Sequence, residues 1–399
     1  MKPLAVEEKI IKWMRLHSFH IACIIVTALA LFIRFNVLDF ESPDMKVFLL
    51  PWFNEMIDGG GVHALNQQVG NYGIPYQTLI AVLTYLPISP VHGYKLYSII
   101  CDFGLAVSIN YIVRRLTGSK EIGLISYNII IIHPIVFLNS SVWGQCDSIF
   151  TLFCILSLSC LLEEKNTATF VFLGVAFAFK LQAIFALPFF LIIYVCKTKF
   201  SILNILWIPI CMVILSLGGI IKGRSIGDVF QLYVTQVGTY KRVSNNYPSL
   251  WNLLVDNFTF NHYQILSPLC IAITIVALGI LMLYLLYNNN ELNKKTITYL
   301  AFLSTYITVF FLPSMHERYS YIYIVMGLTI ACIDKRTIPA YIGLVLVDCQ
   351  TYSQYLFNVT PIPWMVLVTL NIVCMIWYCY RFVQMYSYRS TVERKIISD

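Results

Sequence analysis

Three acidic side chains, Asp39, Glu41 and Asp44, follow directly on the first long apolar segment, residues 20–38. A helix that crosses a bilayer needs about 20 apolar residues and excludes charge, so these acids should lie where the chain leaves the lipid. A carboxylate in that place can take the proton of a hydroxyl group as the hydroxyl attacks a second substrate. We predict that Asp44 is such a catalytic base. Asp39 and Glu41 are close alternatives, and the non-catalytic alternative is a solvated loop acid or a helix N-cap.

A second polar cluster is the turn Trp143-Gly144-Gln145-Cys146-Asp147, which lies between two apolar segments. An indole ring can stack on a sugar face, while an amide and a carboxylate can bind its hydroxyl groups. We therefore predict that Trp143, Gln145 and Asp147 bind substrate. Asp147 could equally cap the helix that begins there. No second metal ligand is near in sequence, so no metal is predicted.

Two further clusters carry positive charge. Lys180 and Gln182 interrupt one apolar stretch, and His316, Glu317 and Arg318 lie between two others. Arginine, protonated histidine and lysine all suit a phosphate group, arginine through a bidentate fork. We predict that these five residues bind substrate. The alternatives are a snorkelling lysine and a glutamate–arginine pair that only orders its loop.

The composition is that of a membrane protein. Of the 399 residues 58% are hydrophobic and only 12% are charged, against about 25% charged residues in soluble domains. The fold class predicted is therefore an all-α polytopic integral membrane protein. The net charge of +7 falls mostly in short clusters between apolar segments, as the positive-inside rule places them, and does not indicate nucleic-acid binding. The 12 cysteines have no disulfide-type or metal-type spacing and are interpreted as packing residues.

Charge and apolar length together predict about twelve membrane segments with both termini in the cytoplasm. Two long outer loops result, 39–73 and 222–262, and the first should carry an amphipathic surface helix at 45–57. Residues 74–88 are too short to span and are interpreted as interfacial or re-entrant. The stretch around Lys180 is predicted to be two half-helices that meet there. All four polar clusters then open on the outer side, which suggests a single cavity.

A cavity that holds both phosphate and sugar on the outer face excludes nucleotide sugars, which are cytoplasmic. The donor expected is therefore a lipid-linked sugar phosphate in the bilayer. The 26 Tyr, 26 Phe and 7 Trp residues fit a protein that faces lipid and stacks on sugars.

Several segments resemble the bacterial relatives of the PIG-V mannosyltransferase family, within the GT-C superfamily of membrane glycosyltransferases. The segments lie between about residues 40 and 320, and the Trp-Gly-Gln and His-Glu-Arg-Tyr motifs are specific in combination. They are NYGIPY at 71–76, WGQCD at 143–147, FKLQA at 179–183, NYPSLW at 246–251 and LPSMHERY at 312–319.

The resemblance implies the GT-C fold and an inverting transfer of one sugar from a polyprenyl-phosphate donor, without a cofactor. It also implies that the first-loop Asp is the base, a role carried here onto Asp44. The usual loop has two adjacent acids or Asp-x-Asp, whereas this chain has Asp39, Glu41 and Asp44. The predicted organisation is a GT-C-like module, 1–262, followed by C-terminal helices with the His-Glu-Arg-Tyr loop, 263–399.

The function expected is thus a hexosyltransferase of the bacterial inner membrane. It would move a hexose from undecaprenyl phosphate to a surface glycan or glycolipid such as O-antigen, on the extracytoplasmic side. One alternative is a transporter or flippase of lipid-linked sugars, which should show paired sequence halves. The other is an oligosaccharide ligase or polymerase, which usually has a larger outer loop late in the chain.

Overall fold

A computed structural model describes residues 4–198, 200–236, 240–258 and 262–398, and side chains as far as residue 387. Parts of the predicted outer loop 222–262 fall outside these ranges. The described residues are mostly helical, with only two strands of two residues each. Their α-helices are α1 (Ala5–Leu16), α2 (Ser18–Asn36), α3 (Leu50–Asp58), α4 (Ile74–Leu83), α5 (Pro90–Thr117), α6 (Lys120–Ile132), α7 (Pro134–Phe137), α8 (Asp147–Leu162), α9 (Asn166–Phe179), α10 (Leu187–Lys197), α11 (Trp207–Leu215), α12 (Leu217–Ile221), α13 (Ile226–Gln236), α14 (Tyr263–Asn288), α15 (Lys294–Phe311), α16 (Tyr321–Ile333), α17 (Ile338–Phe357) and α18 (Trp364–Ser398).

Four helices of the described chain are long and apolar enough to cross a membrane: α2, α5, α14 and the first part of α18. A fifth candidate is α6 with the segment Pro134–Trp143, which is bent by 43°. The expected all-α membrane protein is thus confirmed, but the count of twelve spans is not. The difference arises because proline and polar residues divide several apolar stretches into helices of 10–17 residues, too short to span by length alone.

The local predictions around the breaks hold well. The stretch 170–196 is broken at Lys180, where α9 ends and the 3₁₀ turn Leu181–Ala186 begins before α10. Lys180 has extended backbone, with φ −154° and ψ 133°, so the helix cannot continue through it. Residues 74–88 form only the short α4, as expected.

The predicted first outer loop, 39–73, contains the expected helix, in two parts. A π-helical turn at Met45–Leu49 precedes α3, which buries Phe53 and Met56 and exposes Ile57. Gly60 then adopts the left-handed conformation, with φ +80°, which glycine takes without a steric cost, and the helix ends there.

A buried ion pair ties the first helices together. The Arg34 guanidinium on α2 lies 3.2 Å from the Asp102 carboxylate on α5 and donates at 2.7 Å to the carbonyl of Ile131 on α6. Asp102 also accepts from the Ser140 hydroxyl at 2.5 Å. Ser140 belongs to the π-helical turn Leu138–Trp143, so this pair supports the segment that leads into Trp143.

The later part of the chain contains a two-residue parallel bridge. β1 (Ser244–Asn245) pairs with β2 (Met315–His316) and joins the predicted outer loop 222–262 to the loop that follows α15. The helices after it pack on the earlier helices, α16 against α5, α6 and α8, and α17 against α7.

Candidate functional site

The chain segment that carries Asp44 is held in place where it leaves α2. Lys95 on α5 donates from Nζ to the carbonyls of Leu38 and Phe40, both at 2.7 Å, just beyond the end of α2. The Ser42 hydroxyl donates at 2.7 Å to the carbonyl of Trp143. These bonds hold the backbone between α2 and Asp44 against α5 and the Trp143 turn, so Asp44 follows in a defined position.

The carboxylate of Asp44 accepts three hydrogen bonds. The indole Nε1 of Trp143 donates at 2.9 Å and the amide Nε2 of Gln145 at 2.5 Å, both to Oδ2. The hydroxyl of Tyr355 donates to Oδ1. Asp44 is only 7% exposed. Donors on both oxygens fix the orientation of the carboxylate, as a group that must meet a substrate proton requires.

The two rival acids are placed differently. Asp39 is 95% exposed and lies 2.8 Å from Nε2 of His92, while Glu41 is exposed. Of the three acids, Asp44 alone is buried and lies against the Trp-Gly-Gln turn.

Gln145 links Asp44 to the basic loop. Its Oε1 accepts from the Tyr72 hydroxyl at 3.0 Å and from the Arg318 guanidinium at 3.3 Å. The guanidinium also lies 5.8 Å from the centre of the Trp143 ring. Arg318 Nε is buried without an acceptor among the described residues. The guanidinium therefore retains donor capacity for a ligand.

Asp147 and Lys180 form a buried ion pair at 2.5 Å, with side chains 1% and 2% exposed. Asn139 adds a donor to Asp147 at 2.8 Å. The alternative of Asp147 as a helix N-cap is wrong, because Cys146 holds that position and Asp147 binds Lys180 instead. The snorkelling alternative for Lys180 is also wrong, because its ammonium is buried over the rings of Tyr72 and Phe150.

The structure corrects the predicted charge of His316. Burial, aided by the nearby charges of Arg318, Arg242 and Lys180, lowers the pKa of His316 to about 3. The ring is therefore neutral near pH 7, and it cannot supply the positive charge expected from the sequence. Its Nε2 lies 2.8 Å from the side-chain amide of Asn245, which fits an unprotonated nitrogen accepting that bond.

The two remaining predicted residues, Glu317 and Gln182, lie in and beside the loop that follows α15. Glu317 is 4% exposed, and burial raises the pKa of its carboxyl to about 7 against the opposing charge of Arg318. Gln182 hydrogen-bonds the side chain of Tyr319. The structure thus brings together the four polar clusters that the sequence singled out.

With this geometry established, comparison with known proteins identifies the family. Residues 71–313, more than half of the chain, match the sequence model of glycosyltransferase family 87. The chain belongs to glycosyltransferase family 87. A search of the curated proteins found no match. The resemblance to membrane glycosyltransferases is therefore confirmed, while the narrower likeness to the PIG-V relatives stays a prediction.

The segment that matches family 87 does not contain the whole site. It includes Trp143, Gln145, Asp147 and Lys180, but Asp44 precedes it and Arg318 follows it. In this family-87 chain the polar cluster is therefore completed by residues on both sides of the matched segment.

Sequence reasoning missed the contribution of α17 to this family-87 site. Tyr352 and Tyr355 both contact Trp143, edge-on at 5.1 Å and stacked at 4.5 Å between ring centres. Tyr352 also accepts from Asn139 at 3.0 Å. The available signal was a polar stripe at helical spacing on an apolar helix, Asp348, Tyr352 and Tyr355.

We expect Tyr355→Phe to lower kcat/KM for the transfer reaction by roughly 10- to 100-fold. The substitution removes one hydrogen bond to a charged group, worth about 1.5–3 kcal/mol, and keeps the ring stacked on Trp143. Initial rates with purified protein measure the effect. Tyr287→Phe is the matched control, because Tyr287 is 91% exposed on α14. An unchanged rate for Tyr355→Phe would show that the hydrogen bond from Tyr355 to Asp44 does not contribute to the reaction.

Proposed function

We propose that this protein is an inverting hexosyltransferase that uses a polyprenyl-phosphate hexose. The observation that carries the proposal is the buried Asp44, held by three donors beside the free donor capacity of Arg318. The acceptor hydroxyl oxygen attacks the anomeric carbon while the bond from that carbon to the phosphate oxygen breaks. Asp44 takes the hydroxyl proton, and polyprenyl phosphate leaves with the bonding electrons.

A large apolar cavity supports a lipid-linked donor. It measures about 1020 Å³ and lies among α9, α10, α11, α13 and α14. Leu181, directly after Lys180, lines it together with Ile184 and Phe185. A prenyl chain in this cavity would therefore have its phosphate end close to the polar cluster. Burial of such a chain contributes about 0.8 kcal/mol per methylene group.

The charges of the site suggest how the phosphate is held. Lys180 is neutralised by Asp147, and His316 is uncharged, so of these three residues Arg318 is the cation with donor capacity left for the donor phosphate. Trp143 and Gln145 orient Asp44 and border the place of the sugar. The site around the sugar is shaped by Lys180, Asp147 and Gln182. Glu317 adjusts the charge of the site.

The cellular setting belongs to the same proposal. The short basic clusters between apolar segments favour cytoplasmic termini and an extracytoplasmic site in a bacterial inner membrane. The donor there would be undecaprenyl-phosphate hexose. The acceptor would be a surface glycan or glycolipid such as O-antigen.

The test is a donor comparison with the purified protein in nanodiscs. Radiolabelled hexose is offered on a short-chain polyprenyl phosphate or on a nucleoside diphosphate, with a bacterial glycan fraction as acceptor. Transfer from the polyprenyl donor alone is the expected result. Transfer from the nucleotide sugar would contradict the proposal. Movement of the lipid-linked sugar across the membrane of liposomes that contain the protein, without transfer, would also contradict the proposal.

Glu317 should make donor binding depend on pH. Because the pKa of Glu317 is raised to about 7, its carboxyl is neutral below that pH and becomes charged above it. The new negative charge then opposes the phosphate beside Arg318, so the KM for donor should rise between about pH 6 and 8. The folded protein binds this proton more tightly than the unfolded chain, so the Glu317 contribution to stability falls as pH rises from about 4.5, the ordinary glutamate pKa, to about 7, and changes little above that.

Glu317→Gln is expected to remove most of this rise in KM. The measurement is a series of donor KM values across the same pH range. Glu55→Gln, at an exposed position on α3, is the matched control and should keep the wild-type profile. A variant profile equal to that of the wild type would assign the titration to another group.

A further inference from the structure

A second cavity lies beside the predicted first outer loop, on the other side of α13 from the apolar cavity. It measures about 360 Å³, within the range of roughly 300–1,000 Å³ usual for small-ligand pockets. Seven of its eight lining residues have polar side chains. The lining residues are Asn66, Gln67, Gln68, Arg224, Asp228, Gln231, Leu232 and Thr235.

The lining includes a buried arginine in a fixed position. Arg224 is 9% exposed and donates at 2.8 Å to Oε1 of Gln68 and at 3.2 Å to Oε1 of Gln77. Asp228 lies 3.7 Å from its Nε. The positive charge is therefore balanced by a carboxylate within the pocket.

The wall offers amide groups to the solvent. Gln67 and Gln231 are exposed, and their side-chain amides make no hydrogen bond to the described residues. An amide both donates and accepts, as does a sugar hydroxyl. A balanced charge with neutral amides suits an uncharged, hydroxyl-rich ligand better than a phosphate.

The helix α13 separates the two cavities. Its residues Phe230, Tyr233 and Val234 line the apolar cavity, at the i, i+3, i+4 spacing of one helix face. Asp228 and Gln231 lie on another face and line the polar pocket. The helix is docked on the end of α9, since the Tyr233 hydroxyl donates at 2.6 Å to the carbonyl of Phe177.

Hydrogen bonds connect the polar pocket to the site around Asp44. Gln77, which accepts from Arg224, donates at 2.8 Å to the carbonyl of Tyr72. The Tyr72 hydroxyl in turn donates to Gln145, which donates to Asp44. A ligand in the pocket would thus lie against the loop that positions the base.

From this arrangement we propose that the polar pocket binds a neutral saccharide unit of the acceptor, with α13 as the partition between acceptor glycan and donor lipid. The inference rests on the proposed hexosyl transfer. It adds a substrate class and a place for the second substrate. The saccharide could belong to a free glycan or to the headgroup of a glycolipid, and the two sources share the chemistry that the amides recognise.

The kinetic test uses Gln231→Leu and Gln67→Leu, which remove amides from exposed positions. We expect each to raise the KM for acceptor by roughly threefold to tenfold, as the loss of an uncharged hydrogen bond predicts, with an unchanged KM for donor. Phe230→Ala should raise the KM for donor and leave the KM for acceptor unchanged, because Phe230 lines the apolar cavity. Gln384→Leu, at an exposed site on α18, is the matched control. Unchanged acceptor KM in both glutamine variants, with active wild type, would overturn the inference and leave the hexosyl transfer standing.

Two acceptor forms distinguish the sources, the same sugars as nitrophenyl glycosides and as dialkylglycerol glycosides. Equal effects of Gln231→Leu on both would show that the saccharide alone is recognised, as proposed. An effect restricted to the lipid-anchored form would also support the pocket and assign it to a glycolipid headgroup.

A binding measurement keeps the inference testable even if the hexosyl transfer fails. Saturation-transfer NMR is recorded with methyl glycosides of glucose, galactose and mannose as probes. The wild type should transfer saturation to at least one of them, and Gln231→Leu should weaken that signal. No signal with any probe, or equal signals from the wild type and the variant, would overturn the saccharide site.

Discussion

Asp44→Asn is expected to lower kcat for hexosyl transfer by about 10²- to 10⁴-fold, the contribution typical of a positioned general base. Asparagine has nearly the same shape but cannot take the acceptor proton. The residues that hold the donor are unchanged, so donor affinity should change little. Radiolabel transfer measures kcat, and binding of a non-transferable polyprenyl phosphate analogue to the same preparation measures donor affinity.

The other two acids of the loop are the controls for this result. Asp39→Asn and Glu41→Gln alter exposed side chains on the same loop and should stay within a few-fold of the wild type. A large loss in either, with an active Asp44→Asn, would move the base along the loop. Loss of donor binding together with kcat in Asp44→Asn would indicate a role in structure rather than in proton transfer.

The second large effect concerns stability. Lys180→Met should lower the free energy of unfolding by about 3–5 kcal/mol, because the carboxylate of Asp147 would remain buried without its cation. Asp147 is 1% exposed, so water cannot replace the lost partner. Equilibrium unfolding in mixed detergent micelles measures the change.

The double variant Lys180→Met with Asp147→Leu separates the charge from the packing. Removing both partners should restore most of the stability, as for other buried pairs replaced by apolar residues. Lys294→Met, which breaks an exposed contact with Glu163, should have little effect and is the matched control. A double variant as unstable as Lys180→Met would contradict the argument from an unpaired charge.

The sequence predicted the parts of this site that depend on local chemistry. Charged residues are costly in apolar helices, so the break at Lys180 and the functional interest of Asp44 and Arg318 followed from position alone. The prediction that the four clusters lie close together came from assigning all of them to one side of the membrane. The family-level resemblance rested on motifs that lie largely within the segment matching glycosyltransferase family 87.

What the sequence did not predict depends on long-range packing. Tyr355 is separated from Asp44 by 311 positions, and the polar stripe of α17 does not tell which distant residue Tyr355 contacts. The neutral state of His316 results from burial and from Arg318, Arg242 and Lys180, which only the fold brings near. The twelve-span count included segments that form helices too short to span by length alone, and it missed the 43° bend between α6 and the segment Pro134–Trp143.

The distance in sequence between Asp44 and Tyr355 also orders events during synthesis. At roughly 5–20 residues per second, the ribosome adds Tyr355 long after Asp44 has been made. Until α17 is inserted, the carboxylate lacks its third donor and Trp143 lacks the ring that stacks on it. A nascent or prematurely terminated chain therefore holds an incomplete site, and the geometry around Asp44 forms only when nearly the whole protein is in the membrane.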